Sequence, residues 1–349
     1  MKAMVLVQLG ALAENPTPLQ LVDLPTPTPQ PAGILVKVST CGVCHTELDE
    51  IEGRTPPPQL PVILGHQVVG RVVQNGSEAT RFRPGEQVGI AWIHSACGQC
   101  RYCLSGRENL CPDFRATGRD ANGGYAEYMT VPERFAYPIP ETFSDVEAAP
   151  LLCAPLLCAG AIGYRSLKLA RIQDGQMLGL TGFGASAHLV LKMVRHLYPN
   201  THVFVFARSQ DQRAFALELG AAWAGDTADE APRQLDAIID TTPAWKPVVE
   251  ALNKLAPGGR LVINAIRKEE TDKKELLRLD YAAHLWMEKE IVSVANVTRS
   301  DVSACLKLAA EIPIKPEVQE FALEDANRAL LELRTSKIKG AKVLRVGTG

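Results

Sequence analysis

Four cysteines stand close together in the stretch CGQCRYCLSGRENLC: Cys97, Cys100, Cys103 and Cys111. Zinc binds deprotonated Cys sulfur readily, and two residues between cysteines let a loop turn back so that neighbouring sulfurs reach one ion. Four thiolates would fill a tetrahedral shell and leave no room for substrate, so this zinc is expected to be structural. A second donor set is scattered along the chain. Cys44 in CGVCHTELD, His66 in GHQVVG and Cys158 in LLCAGAIGY supply two thiolates and one imidazole, which leaves a fourth position for water or substrate, as a catalytic zinc requires. A third signal is TGFGASA, after the apolar run MLGL and opening a helical pattern. It reads G-x-G-x-x-A, with Gly182, Gly184 and Ala187. Glycines there permit a tight turn and bring backbone N–H groups against a pyrophosphate, and a small third residue lets helix and strand pack closely.

Two kinds of scaffold are needed to hold these sets, and the texture of the chain supplies them. The first part is rich in Gly and Pro with short Val-rich runs such as ILVKVST, HQVVGRVVQ and EQVGIAW, the pattern of a region built of short strands. The opening MKAMVLVQLGALA is interrupted by Gln8 and Gly10 and reads as a first strand rather than a signal peptide. Next, strand and helix patterns alternate: QMLGLTG, SAHLVLKMVRHLY, HVFVFA, QDQRAFALELG, LDAIID, WKPVVEALNKL and RLVIN. That alternation predicts βαβ units and a parallel sheet. The tail carries two helices, DVSACLKLAAEI and EDANRALLELR, and a last strand, KVLRV, that returns to the first region. The expected fold class is α/β. A β-rich domain over 1–158 and 296–349 would hold both metal sites, and a doubly wound nucleotide-binding domain would span 159–295.

The end of the second nucleotide-domain strand bears on the cofactor. An NAD site usually places an acid about twenty residues beyond the glycines, on the ribose 2′-OH, and that place here reads Phe206, Ala207, Arg208, Ser209. Arg208 could pair with a 2′-phosphate, assisted by the Ser209 hydroxyl, so NADP is favoured over NAD.

A formal charge of -2 over 349 residues gives no basic excess for a nucleic acid, and the four-cysteine loop adds only Arg101, Arg107 and Arg115. Nine cysteines are an odd number, several too close for a secreted disulfide framework, which points to a reducing, cytoplasmic setting. Cys41 and Cys305 are left as buried thiols. No apolar run is long enough to span a membrane.

Taken in order, CGVCHTEL, GHQVVGRVV, RPGEQVG, the four-cysteine loop, GGYAEY, LLCAG and the glycine turn make the chain resemble, over nearly its whole length, the zinc-dependent alcohol dehydrogenases of the medium-chain dehydrogenase/reductase superfamily. The resemblance implies a GroES-like catalytic domain interrupted by a Rossmann domain, the active site in the cleft between them, two Zn2+ per chain and a homodimer or homotetramer. It implies that Cys44, His66 and Cys158 hold the catalytic zinc. Thr46 would hydrogen-bond the substrate hydroxyl and pass its proton outward, His45 would lie near the cofactor pyrophosphate, and Trp92 would line the substrate pocket. The expected function is reversible hydride transfer between a primary alcohol or aldehyde and NAD(P). Two other readings stay open: a polyol or aromatic-alcohol dehydrogenase of the same fold, and a non-catalytic NADP(H)-binding protein that keeps only the structural zinc.

Departures from the family pattern carry their own expectations. The family's GHE is GHQ, so Gln67 replaces a carboxylate behind the zinc and leaves the site less negative by about one charge. Glu47 stands for the family's Asp and can still orient a zinc-bound His. Asp49 stands where many members end the proton relay with His. The segment APLLC is repeated in tandem at 149–153 and 154–158. Five residues of regular helix rotate a side chain by about 140° net, so Cys153 and Cys158 cannot both face one zinc from one helix; Cys158 is the expected ligand, because the helix after it fixes its register. The family's pyrophosphate Arg is missing from the stretch Gly340, Ala341, Lys342, leaving Lys342, Lys339 or the glycine-turn amides to replace it.

Overall fold

Strand Gly33–Val43, GILVKVSTCGV, is buried at ten of its eleven positions, which explains why it reads as a near-continuous apolar run instead of alternating. It is the axis of a seven-stranded sheet in a computed structural model that describes residues 1–143, 149–312, 314, 316–335 and 341–347. Lys339, Gly340 and the run before the first APLLC copy lie outside the described residues. The chain divides into two units, Met1–Cys158 with Thr298–Gly349, and Ala159–Val297.

In the first unit, Gly33–Val43 pairs antiparallel with Val68–Asn75 along one side. Its other side is shared by Tyr128–Pro132 at the beginning and Ala341–Arg345 at the end. The last of these is the KVLRV strand of the tail, closed by a parallel neighbour, Val318–Ala322. Lys2–Leu6, the expected first strand, joins Leu19–Asp23 and Val62–Ile63 in a smaller antiparallel sheet. The two sheets share one core that includes Ile34, Val36, Val68, Ile90, Trp92 and Tyr125.

The tail also corrects one expectation. Lys342 is 1% exposed. Its Nζ donates to Gln319 Oε1 at 2.7 Å and Glu332 Oε2 at 2.8 Å and lies 4.8 Å from the Phe321 ring centroid. A lysine so enclosed cannot reach a cofactor phosphate.

The second unit is a six-stranded, all-parallel sheet in the order Trp223–Gly225, His202–Phe206, Met177–Thr181, Leu235–Asp240, Leu255–Ile263, Glu290–Ser293. In sequence numbering that is 3-2-1-4-5-6, the doubly wound nucleotide-binding order. The strand read from RLVIN is bonded on both sides, and the edge is Glu290–Ser293. That strand and Trp223–Gly225 carry too few buried apolar residues to be legible beforehand.

Candidate functional site

Each dispersed donor is delivered by a different element of the first unit. The central strand Gly33–Val43 runs straight into helix His45–Ile51, and Cys44 is the residue that caps it. His66 follows strand Val62–Ile63 through Gly65, whose φ of +95° is left-handed and whose absent Cβ would lie 2.4 Å from the Tyr125 ring. A larger residue there could not make this turn. Cys158 ends the tandem repeat. The first APLLC is helical, the second is a 3-10 turn, and Cys158 sits at the break before helix Ala159–Ala170.

These three side chains meet: their donor atoms all lie within 4.8 Å of one another, with His66 Nε2 3.4 Å from Cys158 Sγ. A tetrahedral zinc with bonds of 2.1 Å to nitrogen and 2.3 Å to sulfur needs about 3.6 Å between such atoms, so the set fits the ion. Cys153, by contrast, is fully buried, its thiol pushed up to about 12 by burial. The other ring nitrogen, His66 Nδ1, lies 2.6 Å from Glu47 Oε1, and Glu47 Oε2 accepts the Cys44 N–H at 2.8 Å. One carboxylate thus orients two donors at once. Beside the Cys158 sulfhydryl and His66, the Cys44 thiol is held well below its usual range. Burial works against a charged His66 ring, but Glu47 and the Cys44 thiolate outweigh it and raise the imidazole well above its usual value.

Around these donors the sequence-predicted residues fall as follows. Thr46 Oγ1 is 3.6 Å from Cys44 Sγ. His45 is exposed at the first position of its helix. Asp49 is buried and its Oδ1 accepts from Arg54 Nε at 2.5 Å, a partner with no sequence signal of its own. Gln67 is buried, its side chain filling the space where Gly42 lacks a Cβ. Trp92 is 8% exposed, its ring 5.3 Å from that of Phe114 and 5.6 Å from the guanidinium of Arg119.

Glu50 was not anticipated. It is 1% exposed, and neither carboxyl oxygen has a hydrogen-bond partner among the described residues. Burial first, and then the charge of Glu47, push its carboxyl well above the usual range. Its spacing from Glu47, i to i+3 on one helix, was the available signal, because such residues share a face.

The four-cysteine loop is also assembled. Cys111 Sγ lies 3.5 Å and Cys103 Sγ 3.9 Å from Cys97 Sγ, close to the roughly 3.8 Å between sulfurs on a tetrahedral zinc. All four donors fall within 4.8 Å of one another. Backbone N–H groups of Gln99 and Cys100 point at Cys97 and hold its thiol down to about 7. Cys41 and Cys305, which with Cys153 are the thiols outside both sets, are fully buried.

In the second unit, Gly182 at the end of strand Met177–Thr181 has φ +78°, and a Cβ on it would lie 2.8 Å from Thr241 Oγ1. Gly184 caps helix Ala185–Leu197 and has open space where its Cβ would be; Ala187 is fully buried beneath the helix. The near approach to the helix N-terminus is left free, as a phosphate cradle would require. Arg208 and Ser209 are exposed just past strand His202–Phe206, Ser209 capping helix Gln210–Glu218. No acid occupies the end of that strand.

Residues 30–141 match the family model described as the alcohol dehydrogenase GroES-like domain. The chain is 44% identical over 334 residues to "Probable alcohol dehydrogenase AdhA" of Mycobacterium tuberculosis, covering 94% of this chain and 93% of that protein. It is 31% identical to an alcohol dehydrogenase of Geobacillus stearothermophilus, over 94% of this chain and 96% of that one. A solved cinnamyl alcohol dehydrogenase of Sorghum bicolor superposes with a TM-score of 0.84 at 26% identity, covering 99% of this chain and 98% of that one. With identity of this degree along nearly its full length, the chain belongs to the zinc-type alcohol dehydrogenases of the medium-chain dehydrogenase/reductase superfamily.

Proposed function

We propose that the protein interconverts a primary alcohol and its aldehyde with NADP(H), using Cys44, His66 and Cys158 to hold a catalytic zinc and the loop cysteines to hold a structural one. The observation that carries this reading is the three-donor set with Glu47 behind it, a shell one ligand short of closure. A zinc ion there supplies Lewis acidity, making a hydroxyl easier to deprotonate and a carbonyl easier to attack, while the nicotinamide carries the hydride.

The chain's own residues do the rest. Glu47 fixes the His66 ring so that Nε2 faces the two sulfurs. Thr46, two residues from Cys44, accepts the substrate's hydroxyl proton and hands it outward. His45, exposed, is placed to exchange that proton with water or to meet the cofactor phosphates. Asp49 receives it only at the expense of its ion pair with Arg54. An unchanged rate-against-pH profile in Asp49→His would remove Asp49 from the path. The amides of the Gly182 to Ala187 turn receive the pyrophosphate, and Arg208 with Ser209 receives the 2′-phosphate, which supports NADP over NAD. Six of nine cysteines serve as donors in this reading, which suits a reducing cytoplasm.

Self-association is part of the same reading. The edge strand Glu290–Ser293 leaves its outer side unpaired among the described residues, and near it Ile291, Trp286, Met287 and Tyr281 are exposed. A homodimer would cover them, and light scattering measures it.

The deciding experiment is zinc per chain on desalted protein, together with NADPH oxidation by a simple aldehyde. Two zincs and turnover sustain the proposal. One zinc and no turnover would replace it with an NADP(H)-binding protein that keeps only its structural metal.

A further inference from the structure

A groove of about 650 Å³ lies within the first unit, lined in part by Gln59, Phe114, Arg115, Arg119, Asp120 and Asn122. Its volume is in the range of small-molecule sites, about 300–1,000 Å³. Backbone contacts tie it to the metal centre. Gly118, left-handed at φ +84°, lies so close to the chain before His66 that a Cβ on it would be 2.8 Å from Gly65 N. Gly123 N donates to Ile63 O, Gly124 N to Gly65 O and Tyr125 N to Leu64 O, and Asn122 Oδ1 accepts from Ile63 N at 3.1 Å. The segment bearing Arg119 is therefore laid along the residues that deliver His66.

From there the Arg119 guanidinium extends over two aromatic rings, 5.6 Å from Trp92 and 5.8 Å from Phe114. Its electrostatic reach includes the buried Glu50 carboxyl behind the donors. The local charges do not cancel. Asp120 is the groove's acid, and its Oδ2 already accepts from Ala116 N at 2.6 Å and Arg119 Nη2 at 2.8 Å, while Oδ1 takes Arg119 Nε at 3.1 Å. Arg115 adds a second guanidinium, which donates to the Asp120 carbonyl. Two cations against one anion leave one positive charge over; Asp120 occupies the Nε and Nη2 side of the Arg119 fork, so the Nη1 edge of the guanidinium is the one left to meet a carboxylate. With Asn122 Oδ1 engaged, its side-chain N–H groups are directed elsewhere and can donate.

We propose that this groove is a substrate subsite for an anion: Arg119, supported by Arg115 and Asn122, receives a carboxylate at the end of the substrate remote from the reacting carbon. The inference rests on the aldehyde–alcohol reading above and names its substrate class, an ω-carboxylated aldehyde or alcohol. Arg119 determines specificity and takes no part in hydride transfer.

The test compares 4-oxobutanoate with butanal on the zinc-loaded enzyme. The wild type is expected to show a KM at least about tenfold lower for the carboxylated aldehyde, the usual scale of a charge-assisted hydrogen bond. Arg119→Met keeps the stem that covers the rings and should remove that advantage while leaving butanal within about twofold; Arg119→Lys should restore much of it. Equal KM values in the wild type, or a loss in Arg119→Met shared by both aldehydes, overturns the subsite. Turnover of neither aldehyde overturns the enzyme reading instead. The subsite is then read by calorimetric titration with 4-hydroxybutanoate and 1-butanol: binding of the carboxylate alone, abolished in Arg119→Met, sustains it, and no preference overturns it.

Discussion

The two metal-donor sets of this chain solve the same coordination problem in opposite ways. In the loop, four sulfurs come from one short stretch and meet because the chain turns on itself, with backbone amides of Gln99 and Cys100 aimed at Cys97. At the other centre, a strand end, a loop after Gly65 and the break after a 3-10 turn each bring one donor. A local set closes its own shell and stabilises its own loop. A set gathered from distant elements can stop at three donors, because the fold rather than the metal holds them apart. The price of that openness is a surrounding of buried carboxyl groups, Glu47, Asp49 and Glu50, on one helix.

The largest expected effect separates these two architectures. Cys158→Ser should lower turnover by about 10³-fold or more and remove one of two zincs, while leaving the melting temperature nearly unchanged. Cys103→Ser should do the reverse first: zinc falls by one, and the loop's loss shows as a drop in thermal stability before activity suffers. Cys153→Ser, which places a hydroxyl in an apolar site, should keep both zincs and cost about 1–3 kcal/mol of stability. Loss of zinc in Cys153→Ser would mean that the two APLLC copies exchange roles. Elemental analysis and calorimetry on the three variants decide it.

Legibility followed the same division. The four-cysteine loop could be read outright, because spacing along the chain is all that it needs. The parallel sheet was legible where strands are buried on both faces, as in MLGLT and HVFVF, and failed at the sheet edges, where EIVS and WAG carry little apolar signal. At the open centre the residue types could be read and the helix after the second APLLC copy favoured Cys158, but the break from helix to 3-10 turn that separates the two copies left no signal. Partners made through space left no trace in the sequence. Arg54 on Asp49 and Arg119 over Trp92 depend on loop conformation, and the enclosure of Lys342 depends on a neighbouring strand and helix.

Two titratable groups, the half-buried His94 near the loop set and the buried Glu50 near the open one, should give opposite responses to pH. His94, three residues before Cys97, is lowered to about 4 by burial. The unfolded chain therefore takes up a proton that the folded one refuses, so stability is fully present above about 6.5 and is lost as pH falls toward 4, by about 3 kcal/mol. His94→Gln should flatten that slope, seen as a difference from wild type in denaturant midpoints across this range. Glu50 is raised by burial, so the folded state keeps a proton that the unfolded state has released above about 4.3, and stability falls as pH rises through that window. Glu50→Gln should then stabilise the protein by about 1–2 kcal/mol at neutral pH, with the gain shrinking below pH 5. A gain independent of pH would mean that Glu50 is ionised in the fold.

The smallest expected effect probes why the open centre tolerates Gln67. Its amide side chain packs against Gly42, two residues before Cys44, and its backbone C=O accepts the Gly42 N–H at 2.9 Å. It thus fills the seam between the segments that carry Cys44 and His66. Glu is nearly isosteric, so Gln67→Glu should leave packing intact and add one negative charge behind the donors. A more negative surrounding attracts an incoming cation and offers a passing oxygen ligand, so exchange of the open centre's zinc for cobalt should quicken several-fold, by order of magnitude of a single second-layer charge. The loop's zinc should exchange as before, since its four sulfurs sit in a separate stretch. Equal acceleration at both sites would show that Gln67→Glu loosens the whole unit. No acceleration at either would show that the carboxylate at position 67 is irrelevant to metal entry in this chain, and that the neighbouring Glu47 alone sets the charge the zinc experiences.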